Sequence, residues 1–65
     1  MTFNDALAAA GSANETYLNA AGAYASLVAQ GSPQPQTNNA LAVATAALAT
    51  LKGTHANIDA AYAAL

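Results

Sequence analysis

From Phe3 onward, positions recur in alternating steps of four and three: Phe3, Leu7, Ala10, Asn14, Tyr17, Ala21, Tyr24 and Val28. A second series steps by three and four: Leu41, Ala44, Leu48, Leu51, His55, Ile58, Tyr62 and Leu65. A mean spacing of 3.5 residues is the a/d pattern of helices that pack along a seam. Between the two series lies "GSPQPQT", which holds both prolines of the chain. The pattern predicts an all-α fold: an antiparallel two-helix hairpin of coiled-coil type, in a single domain spanning residues 1–65. The expected helices cover about 3–30 and 38–65, with a loop at 31–37.

The helix ends carry matching signals. Thr2 precedes the first series and Asp5 lies three residues later, a capping-box-like start whose acid suits the helix dipole. Gly31 can take the left-handed position after a helix end, and Pro33 close behind blocks continuation. Pro35 is expected to prolong the break, with Thr37 or Asn38 capping the second helix. Gly11, Gly22 and Gly53 each weaken their helix by up to ~1 kcal/mol relative to Ala, within segments otherwise rich in Ala.

Folding the chain at the loop brings the two series into register. The expected seam pairs Phe3 with Leu65, Leu7 with Tyr62, Ala10 with Ile58, Tyr17 with Leu51, Ala21 with Leu48, Tyr24 with Ala44 and Val28 with Leu41. Several layers oppose a large residue with a small one, as interdigitation at core density requires. Asn14 and His55 fall opposite each other as the one polar layer. A buried polar pair of this kind fixes register. A pH switch or a metal ligand are the functional alternatives, but a single imidazole, with Asp59 four residues on, is an incomplete metal site.

Composition sharpens the picture. Only 6% of the 65 residues are charged, against about a quarter in ordinary globular domains. The charges are Asp5, Glu15, Lys52 and Asp59, for a net charge of −2. One basic side chain cannot neutralise a phosphate backbone, so nucleic acid is excluded as a partner. The apolar stretches are Ala-built and shorter than the ~20 residues of a membrane span, and membrane insertion is not expected. The start "MTFNDALAAAG" shows no basic region of the kind that opens a signal peptide. Without Cys, disulfides and thiolate metal sites are impossible. No serine has a triad partner, no glycine-rich phosphate cradle appears, and a slim hairpin lacks a substrate-sized pocket. The expected protein is therefore not an enzyme and takes no cofactor and no small-molecule substrate.

What remains is the outer surface. The first helix has a polar back of Asp5, Ser12, Asn19 and Ser26. The second does not, because its stretch "ALAVATAALATL" at 40–51 is apolar around most of its circumference, as buried helices are. Ala is also a good helix former and is tolerated in water, but here no Glu or Lys accompanies it. Residues Ala40, Ala42, Val43, Ala46, Ala47, Ala49, Ala56, Ala60, Ala61 and Ala63 are thus the expected packing face toward other protein subunits, whether copies of the chain or neighbours. A chain this short is marginal alone and needs such help.

The loop and second-helix start "GSPQPQTNNALA", with the ending "ANIDAAYAAL", resembles the needle-forming filament subunits of type III secretion systems. That resemblance implies a Cys-free helical hairpin stacking into a filament, with Pro33 and Pro35 marking the loop and Ile58, Tyr62 and Leu65 forming a polymer-contact tail. The chain departs from it in carrying less charge and in a second helix that is short and Ala-dominated. By composition alone, it is similar to small bacteriophage virion proteins. The function expected from the sequence is a structural, virion component, capsid-cementing or tail-associated. A secreted filament subunit and a two-helix adaptor that completes a partner's bundle are the alternatives. The expected location is accordingly a virion or an extracellular assembly.

Overall fold

The computed structural model describes residues 2–65 as two antiparallel helices, α1 over Phe3–Ala29 and α2 over Gln34–Ala63. They pack against each other along their length to form the expected hairpin. The Cα trace measures 49 × 13 × 12 Å, with a radius of gyration of 14.8 Å, whereas a compact chain of this length has about 11 Å. The molecule is a rod two helices wide.

The capping box at the start of α1 forms: the Asp5 amide donates to Thr2 Oγ1 at 3.1 Å, and the Thr2 amide reaches Asp5 Oδ2 at 3.4 Å. At the other end Gln30 is the C-cap and Gly31 turns left-handed, with φ of 69°. The Ser32 amide donates to the Leu27 carbonyl at 3.0 Å, and the Gly31 amide to that of Val28 at 3.1 Å. Both bonds define a Schellman end, which satisfies carbonyls the helix cannot.

The loop is shorter than the sequence implies. Only Gln30–Pro33 separate the helices, and Pro33, not Thr37 or Asn38, is the cap residue of α2. Pro35 lies inside the first helical turn instead of prolonging the break. An amide in that turn has no carbonyl to bond, so a proline there loses nothing, and its fixed φ suits the helix. Thr37 turns its hydroxyl back to the Gln34 carbonyl at 3.1 Å. At the other terminus α2 stops at Ala63, and Leu65, expected in the seam against Phe3, is 80% exposed. Tyr62 takes the place beside Phe3, with ring centroids 6.0 Å apart and planes tilted by 57°.

The larger correction is to how each helix is turned about its axis. The inward row of α1 is Phe3, Ala6, Ala10, Ala13, Tyr17, Ala20, Tyr24 and Leu27, all buried or half-buried. That of α2 is Ala40, Ala44, Ala47, Leu51, Thr54, Ile58 and Ala61, with Leu48 at its edge. Phe3, Ala10, Tyr17, Tyr24, Ala44, Leu51 and Ile58 of the expected seam stay inside, and Ala21 and Leu48 are half-buried at its edge. Leu7, Asn14, Val28, Leu41, His55 and Tyr62 are exposed instead. The shift amounts to about 50° of rotation in each helix. It has two physical causes. It takes Asn14 and His55 out of a seam where their polar groups would need mutual satisfaction. It also turns the small residues Ala6, Ala13 and Ala20 of α1 and Ala40, Ala47 and Ala61 of α2 inward, where small side chains pack with little steric demand.

Two stability differences follow. Gly31→Ala is expected to cost about 1 kcal/mol in urea unfolding, because an alanine pays for the left-handed φ. Ala6 is fully buried, so Ala6→Leu is expected to force the helices apart and cost about 1–3 kcal/mol. The same change at exposed Ala23 is expected to stay within about 0.5 kcal/mol.

Candidate functional site

The core that this packing produces is thin. Among the described residues the buried side chains are Ala6, Ala10, Ala44 and Leu51. An alanine removes little apolar area from water, and burial stabilises at roughly 25 cal/mol per Å². The accessible surface is 4369 Å², above the about 3,800 Å² of a compact monomer of this mass. Large apolar residues stay outside: Leu7, Leu18, Val28, Leu41, Val43, Tyr62 and Leu65.

Most of these fall on one side of the rod. Tyr17, Ala21 and Tyr24 of α1, with Leu41, Ala44, Thr45 and Leu48 of α2, line a shallow open groove between the helices. Leu7 and Val28 share the heptad row of Ala21, and Tyr62 shares that of Leu41 and Leu48. The rotation that buried the alanine rows is what placed these two rows at the groove's rim. Leu7 is 44% exposed, Leu41 45% and Val28 53%. Leu18 lies one row further out on α1. Asn14 and His55, at the corresponding positions of the same two rows, interrupt the apolar strip with one polar step.

The packing face expected on α2 divides. Ala40, Ala47 and Ala61 are half-buried in the hairpin's own interface, so they are not free for other subunits as expected. Ala42, Val43, Ala46, Ala49, Ala56, Ala60 and Ala63 are exposed. Leu48 and Ile58 are half-buried and Leu51 is buried, inside the hairpin. The strip around the groove is hidden in the sequence because the heptad pattern assigns its leucines to the seam. The signal lay in the alanine rows: two aligned small rows compete with two mixed rows for the inside.

Several surface hydroxyls are satisfied within the helices. Thr16, Thr45, Thr50 and Thr54 each donate their hydroxyl to a carbonyl one turn back, at 3.1, 2.8, 3.3 and 2.6 Å. Such hydroxyls carry no donor in need of water, and Thr16, Thr45 and Thr50 are exposed while Thr54 lies half-buried between the helices. Among the described residues no three His, Asp or Glu side chains gather where a metal ion would be held, and no helix is long and apolar enough to cross a membrane. A second shallow depression, at Asn57, Ala60, Ala61 and Ala64, offers no titratable group. Comparison with protein-family models, curated proteins and solved structures gives no match.

Leu41→Ser and Val28→Ser, on the rim, are expected to leave helicity by circular dichroism unchanged at low micromolar concentration. Leu51→Ser, inside the hairpin, is expected to cost about 2–4 kcal/mol and to lower it.

Proposed function

We propose that this chain is a non-enzymatic structural subunit that self-associates or packs into a larger protein assembly. One observation carries the reading: the hairpin buries three alanines and a leucine while leaving seven large apolar side chains in water. A monomer of this design has a small stabilising core and a large sticky surface, and the partner that removes that surface from water supplies the missing stability. The near absence of charge supports the same reading, since a freely diffusing chain depends on charge for solubility. The assembly we propose is a bacteriophage virion, with the chain as a capsid-cementing or tail-associated component. Its support is compositional: an uncharged, Cys-free chain rich in Ala, Thr and Asn.

Because association stabilises only the folded hairpin, the melting temperature of the purified chain is expected to rise by about 5 °C or more between 1 and 100 μM. A melting temperature independent of concentration, with a monomeric mass at every concentration, would remove the basis for self-association. The virion assignment is tested by mass spectrometry of gradient-purified particles, where the chain is expected at many copies per particle. Filaments in negative stain, without particles, would transfer the assignment to a needle-type subunit. A soluble one-to-one complex with another protein would transfer it to an adaptor.

A further inference from the structure

We draw no further inference here: the strongest candidate, the shallow apolar groove between α1 and α2 lined by Tyr17, Tyr24, Leu41 and Leu48, is an unpartnered face, and nothing in the structure shows what covers it.

Discussion

The whole architecture depends on the packing of two small-residue rows between the helices. Ala6, Ala10, Ala13 and Ala20 on α1 and Ala40, Ala44, Ala47 and Ala61 on α2 are all buried or half-buried between the helices. With a methyl as the largest group at these positions, little side-chain bulk stands between the two helices there. The aromatic residues Phe3, Tyr17 and Tyr24 alternate with these alanines along the inward row of α1 and are half-buried there. Everything else about the molecule is a consequence of that choice. Leucines that a wider-spaced hairpin would have enclosed are displaced to the rim, and the rim becomes the feature with which the outside world must deal.

Such a design divides the work of folding between two scales. The caps at Thr2 and Gly31, the short connection and the high helix propensity of alanine set the local form without help. The apolar burial that normally holds a domain together is deferred to assembly. This division suits a part that must be inserted into something larger, because the free chain keeps its shape while its adhesive surface stays available. The scarcity of charge agrees with the proposed role, since charged groups would be expensive to desolvate in a contact.

Much of the fold was legible in the sequence, and the reason is that it is written in local rules. The heptad steps gave two helices, Thr2 with Asp5 gave the start of α1, and Gly31 gave its end. Pro35 misled because a proline reads as a break unless it falls in a first turn, and the turn's position was itself unknown. The rotation of the helices was not legible for a different reason. Phe3, Tyr17, Tyr24, Leu51 and Ile58 point inward in either arrangement, so the choice rested on the rows at their sides. Counting hydrophobicity favours Leu7, Val28 and Leu41. The low steric demand of small inward side chains and the expense of enclosing Asn14 and His55 favour the alanines, and neither term is visible in a tally of apolar residues. The candidate face inherited this ambiguity, since it consists of whichever row is left outside.

The tight link at Gln30–Pro33 limits how the chain can associate. Small helical hairpins often exchange partners by straightening their connection, so that two helices fuse into one long rod shared between chains. Here that route requires Gly31 to give up its left-handed turn and Pro33 to enter a helix interior. A proline there clashes with the preceding turn and removes a hydrogen bond, at about 3 kcal/mol. The connection therefore disfavours the exchange of helices between chains and holds the molecule to its closed hairpin.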